Sequence, residues 1–208
     1  MLENTRGTFE FVAKFLRRVK ERAAGRHEWL GPEPLLSDRL KIMSVTPQTL
    51  AGFARLFDSD FARAHRHSPE QMMTIHRSLD PTFGNPLGLI LNTAILVPHD
   101  EPDVVVGFIM FFDTPSLPGT KNGSRLIGVQ IAQERRGQGY LTEALAEVVR
   151  YLTAEGFRNV WLATSPDNVA MRRVCERLGF REHGTVYYTF PDGTVDDALA
   201  VEVIPSGV

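Results

Sequence analysis

The 208-residue sequence predicts an α+β fold on a mixed, mostly antiparallel sheet of about seven strands, and three observations predict it. Residues 87–97, 104–113 and 125–132 are strand-like runs separated by turn-rich stretches, as in an antiparallel meander. The pattern then switches to helix, strand and helix between Tyr140 and Gly179. Two last apolar runs flank Pro191-Asp192-Gly193, a hairpin signal.

Taken in order, residues 39–45 read as the first strand. Thr46-Pro47 then pairs a cap residue with proline at the first helical position, which predicts a helix to about Phe57. Ser68-Pro69-Glu70-Gln71 is a capping box that opens a second helix through Met72, Ile75 and Leu79. The meander follows. Leu141, Leu145, Val148, Val149 and Leu152 lie at helical spacing, and Gly156 is a natural stop. Residues 159–164 form a short apolar strand, and Ser165-Pro166 starts a helix that ends at Gly179. Residues 185–190 and 195–203 are the strands of the final hairpin.

Composition narrows the function classes. Apolar residues at 43% and charged residues at 23% are those of a globular protein. The charge balance, 23 − 25 = −2, excludes a globally basic nucleic-acid binder. The single cysteine, Cys175, excludes an intrachain disulfide framework and a cysteine-rich zinc site. No apolar run approaches the ~18 residues that span a bilayer. Glu3, Arg6, Glu10 and Lys14 break any signal-peptide core. The expectation is a cytoplasmic protein.

Residues 1–36 read as a segment of their own, and residues 37–208 as the main domain. Within 1–27, seven Lys and Arg face three Glu, a balance of 7 − 3 = +4. Phe9, Val12, Ala13, Leu16 and Val19 form an apolar stripe at helical spacing. Such a helix suits an acidic partner or surface; packing on its own domain or on the second copy in a homodimer is the alternative. Gly31, Pro32 and Pro34 make a linker.

The chemistry lies in Gln133-Glu134-Arg135-Arg136-Gly137-Gln138-Gly139-Tyr140-Leu141-Thr142, which joins a strand to a helix. Glycines two apart let the backbone turn sharply and approach a ligand. The helix's first amides then point outward at its positive end, which suits a phosphate or pyrophosphate. Arg135 and Arg136 add charge and Thr142 a hydroxyl. Glycines at this spacing also make an ordinary tight turn. The absence of Gly-Lys-Ser/Thr excludes a nucleotide-hydrolysing P-loop, and no third glycine stands at dinucleotide-fold spacing.

Over 125–203 the chain resembles the GNAT superfamily of acyl-CoA-dependent N-acyltransferases, and within it the RimJ/RimL-type ribosomal-protein alanine acetyltransferases. The resemblance rests on Arg-Arg-Gly-Gln-Gly-Tyr-Leu-Thr-Glu-Ala (135–144), Asp-Asn-Val-Ala (167–170), Arg-Leu-Gly-Phe (177–180) and Asp-Gly with Val-Asp-Asp (192–197). Arg39-Leu-Lys-Ile and Val106-Gly107-Phe108 resemble earlier strands of the family. The resemblance implies a sheet splayed at its middle, with helices on both faces. It implies acetyl-CoA as co-substrate, held at the pyrophosphate by the amides of Arg135, Arg136, Gly137, Gln138, Gly139, Tyr140, Leu141 and Thr142. The backbone of Val129 and Ile131 would pair with the pantetheine arm, and Asn168 would touch it. A role as helix cap suits Asn168 equally.

The implied reaction is acetyl transfer to a primary amine of a protein N-terminus or a small molecule, by direct attack in a ternary complex. The alternative is a catalytically silent acyl-CoA-binding module, because the residues that serve as acid and base elsewhere in the family are replaced here. Cys175 stands where many members carry tyrosine, and Met171 where serine is frequent. Cys175 and Tyr187 are the candidate proton donors; a lone helical cysteine is also a small core hydrophobe. Glu134 opens the loop where the family has Gln or Arg, and is expected to point away. Glu143 reads as a structural pairing. Acceptor recognition falls to the loop 58–68, with Asp58, Asp60, His65 and His67. His65 and His67 lack a third ligand nearby, so no metal site is expected.

Overall fold

The computed structural model describes residues 33–79, 92–113, 124–155, 157, 159–189 and 192–203. The expected basic helix of residues 1–27 lies outside them, as does the first part of the strand run 87–97. The described strands are β1 (Leu35–Leu36), β2 (Leu40–Ser44), β3 (Thr93–Pro98), β4 (Gly107–Asp113), β5 (Ser124–Ile131), β6 (Asn159–Thr164), β7 (Arg181–Thr189) and β8 (Val195–Val203). The described helices are α1 (Leu50–Ala54), α2 (Ser59–Ala64), α3 (Pro69–Leu79), α4 (Tyr140–Ala154) and α5 (Val169–Arg177).

The strands form one sheet in the order β1-β2-β3-β4-β5-β6-β8-β7. It has eight strands rather than the expected seven, because Leu35–Leu36 pairs antiparallel with β2 across Ile42 and Lys41. Two residues between a proline and a serine carry no period, so this strand exists only through its partner. Every pairing is antiparallel except β5 with β6. That pair is joined through α4, since parallel neighbours need a crossover.

Side chains alternate across the sheet, and each face buries its own core. Ala94 and Leu96 of β3 and Ile109 and Phe111 of β4 join Ala144, Leu145, Val148 and Leu152 of α4 on one face. Ile95, Val97 and Phe108 join Phe53, Phe57, Phe61, Met72 and Leu79 of α1, α2, α3 and their connections on the other. Helices therefore cover both faces. Phe108 stacks on Phe57 at 5.4 Å and meets Phe53 edge-on at 5.5 Å, which fixes the small helices to the sheet.

The capping box forms as expected. Gln71 N–H donates to Ser68 Oγ (3.2 Å) and Ser68 N–H to Gln71 Oε1 (2.8 Å). The first helix differs from its prediction. Thr46 and Thr49 close a turn on each other, Thr46 N–H donating to Thr49 Oγ1 (2.9 Å), so helix begins only at Leu50. A further helix, α2, occupies the stretch expected as loop, because Asp58 Oδ1 accepts the Phe61 amide (2.8 Å) and caps it. The helix α5 likewise starts after Asn168, not at Ser165.

Candidate active site

The β5–β6 ladder ends at Ile127 and Leu162, while β5 stays paired with β4 as far as Ile131. The sheet therefore splits at its middle. Ala132 donates its amide to Val106 O on the β4 side (2.9 Å). Backbone polar groups alternate sides along a strand, so Gln130 faces β4 and Val129 and Ile131 face the split. Gly107 makes this register possible. A Cβ there would lie 2.5 Å from Gln130 O and 2.6 Å from Ile131 Cδ1.

Beyond the split the chain makes a 3₁₀ turn (Gln133–Arg135) and enters α4 through two left-handed glycines, Gly137 at φ +75° and Gly139 at φ +84°. A Cβ on Gly137 would meet nothing within 4 Å, so the backbone faces open space. No side chain caps the first turn of α4. Its leading amides stand at the positive end of a 15-residue helix. Gln138, Gly139, Tyr140, Leu141 and Thr142 are brought together here, at the mouth of the split.

Both loop arginines are engaged by carboxylates. Arg135 makes a two-pronged pair with Glu101, at 2.7 Å in each arm, which holds the Glu101 carboxyl below its usual range. Arg136 bonds Asp60 of α2 and donates from Nε to Ile131 O (3.1 Å). Asp60 also binds Arg63. Its side chain is 11% exposed, and its hydrogen bond from Arg136 holds its carboxyl low against the opposing cost of burial. The positive charge expected for an anion is thus shared with Glu101 and Asp60. Glu134 is exposed and its carbonyl accepts Gln138 Nε2 (3.2 Å).

Of the acceptor-loop candidates, Asp58 is a helix cap and Asp60 is ion-paired. His65 stacks on Phe61 at 4.2 Å with its Nδ1 on Phe61 O (3.0 Å), and burial pushes its pKa down. Burial also lowers the pKa of His67, whose Nδ1 has no hydrogen-bond partner among the described residues. Among the described residues no three His, Cys, Asp or Glu gather where they would hold a metal.

The two proton-donor candidates stand in opposite environments. Cys175 is 4% exposed inside the α4-side core, and burial pushes its thiol up to about 11. Tyr187 stands 81% exposed on β7, at the far edge of the sheet. Asn168 Oδ1 accepts the Met171 amide (3.1 Å) and caps α5, its cap role. Sequence reasoning missed Glu101 and the function of Arg39. Arg39 binds Glu143 and the Gln138 carbonyl, and its only signal was its place in the strand-opening motif.

A family model described as an acetyltransferase (GNAT) domain matches residues 39–181, more than half of the chain. No curated protein matches. Among solved structures, the ribosomal-protein-S5-alanine acetyltransferase of Vibrio fischeri superposes with a TM-score of 0.67 at 14% identity, covering 83% of this chain and 97% of that one. A GNAT-family acetyltransferase of Bacillus anthracis gives 0.62 at 18% identity, covering 82% and 98%. Mycobacterium smegmatis RimJ, in complex with CoA-disulfide, gives 0.57 at 22% identity, covering 83% and 90%. At these identities the likeness is one of fold.

Proposed function

Because the chain belongs to the GNAT acetyltransferase family, we propose that it transfers an acetyl group from acetyl-CoA to a primary amine by direct attack in a ternary complex. The observation that carries this reading is the junction of a split strand edge with an uncapped glycine turn. The Arg135 and Arg136 amides, expected on the anion, are instead spent within the 3₁₀ turn on Ala132 O (2.9 Å) and Gln133 O (3.3 Å), so the turn at 137–142 holds the pyrophosphate through its remaining backbone amides and the end of the α4 dipole. The Val129 and Ile131 backbone, facing the split, pairs with the pantetheine arm as an added strand. The Asn168 side chain touches that arm while its oxygen keeps the cap. An amide facing the split polarises the thioester carbonyl where negative charge develops.

The amine nitrogen attacks the thioester carbon as a neutral group. The carbon–sulfur bond breaks, the amine loses one proton, and the thiolate leaves and takes one up. The acceptor is a protein N-terminal amine, a reading supported by the shared fold with the Vibrio fischeri enzyme, whose name gives a ribosomal-protein alanine as its target.

The test is calorimetry with acetyl-CoA, with Gly137→Glu as control, followed by thiol release over a panel of peptide N-termini and small amines. Wild type binds, the variant does not, and a peptide amine triggers release. Binding with no release across the panel would leave an acyl-CoA-binding module. No binding by wild type would reduce the turn to a connection.

A further inference from the structure

The glycine turn is gripped from the turn between β1 and β2. Glu143 sits one turn into α4 with its side chain 17% exposed. Its Oε1 accepts Ser37 Oγ (2.6 Å) and the Arg39 amide (2.7 Å), and its Oε2 accepts Arg39 Nε (2.7 Å). Arg39 Nη2 lies 2.7 Å from the same Oε2. The Arg39 guanidinium then reaches along the turn. Nη1 donates to Gln138 O (3.0 Å), Nη2 would lie 3.4 Å from a Cβ on Gly139, and the group stands 4.8 Å from the Tyr140 ring centroid. Ser37 is itself held, its carbonyl meeting His99 Nε2 at 3.0 Å.

A half-exposed ion pair adds little to global stability. A two-pronged pair that also bonds a turn carbonyl fixes orientation instead. It stops the Gln138 peptide from rotating between the two glycines, the most freely rotating residues of the loop. We infer that Arg39 and Glu143 are positioning residues, which set the backbone of 138–140 so that its neighbouring amides converge on an anion. The inference rests on the function proposed above, and it makes the turn between β1 and β2 part of the co-substrate site.

The experiment compares wild type, Arg39→Ala, Glu143→Ala and the double variant by acetyl-CoA calorimetry, amine KM, thermal melting, and amide hydrogen exchange without ligand. Each single variant weakens acetyl-CoA about tenfold, and the double variant is no weaker than either, as coupled residues behave. The amine KM stays unchanged, and the amides of 138–142 exchange faster while the melting temperature moves little. Glu143→Gln replaces Glu143→Ala if the latter fails to fold. Loss of affinity in Arg39→Ala alone would make Arg39 a direct ligand and overturn the inference, as would unchanged exchange at 138–142. Faster exchange in a protein whose wild type ignores acetyl-CoA would sustain the clamp and sink the function.

Discussion

Two glycines near the split serve for opposite reasons. Gly107 is limited by space, since its Cβ would press on the Gln130 carbonyl and Ile131. Gly107→Ala is expected to cost about 2–3 kcal/mol, as overpacking does, and to lower the urea midpoint accordingly. Gly137 is limited by conformation, at φ +75° with no atom within 4 Å. Gly137→Ala should cost only about 1 kcal/mol of stability yet weaken acetyl-CoA, because the methyl enters the proposed ligand space. Equal stability losses in the two variants would contradict this contrast. Cys175 belongs to packing. Its pKa is raised to about 11 by burial, so the thiol stays protonated at any working pH and is lost as a neutral group only as pH rises past that value. The native protein is expected to resist a thiol reagent at pH 8 and to react in denaturant. Cys175→Ala should cost about 1 kcal/mol and leave turnover intact.

Helix ends were legible where the signal is local. The Ser68–Gln71 box is satisfied within one turn of chain, so the residues that predict it are the ones that make it; Gly156, the expected stop of α4, lies outside the described residues. The α1 start was misread because Thr46 and Thr49 bond each other, and a proline rule cannot weigh that competition. The cap at Asn168 permits a clean separation of roles. Asn168→Ala should cost about 1 kcal/mol of stability by loss of the cap. Asn168→Asp keeps the acceptor oxygen and the stability but loses the donor. Weaker acetyl-CoA binding by both variants supports the pantetheine contact; full binding by Asn168→Asp would reduce the residue to a cap.

Across the whole molecule, Asp60 and Arg136 join the helical layer on one face to the end of the split strand. The folded Asp60 carboxyl titrates below its usual value because of Arg136. Its contribution is therefore complete above about pH 4, the ordinary aspartate range, and is lost as pH falls through the lowered value. Denaturant midpoints followed from pH 6 to pH 2 should fall more steeply in wild type than in Asp60→Asn. Parallel acid limbs in the two proteins would remove this pair from the account. The same substitution frees Arg136, so it should also change acetyl-CoA affinity, which a merely peripheral ion pair would not.

From residue order alone come the α+β class, the antiparallel meander, the helix of α4 and the glycine turn. Each rests on periods, caps and breakers that act over a few residues. Sequence alone could not supply the eighth strand, the helix within the acceptor loop, or the pairing of both loop arginines with Glu101 and Asp60. Nor could it supply the grip of Arg39 on Glu143, 104 residues away. Those depend on which distant groups the closed sheet brings within 3 Å, and a charge in a sequence carries no record of its partner.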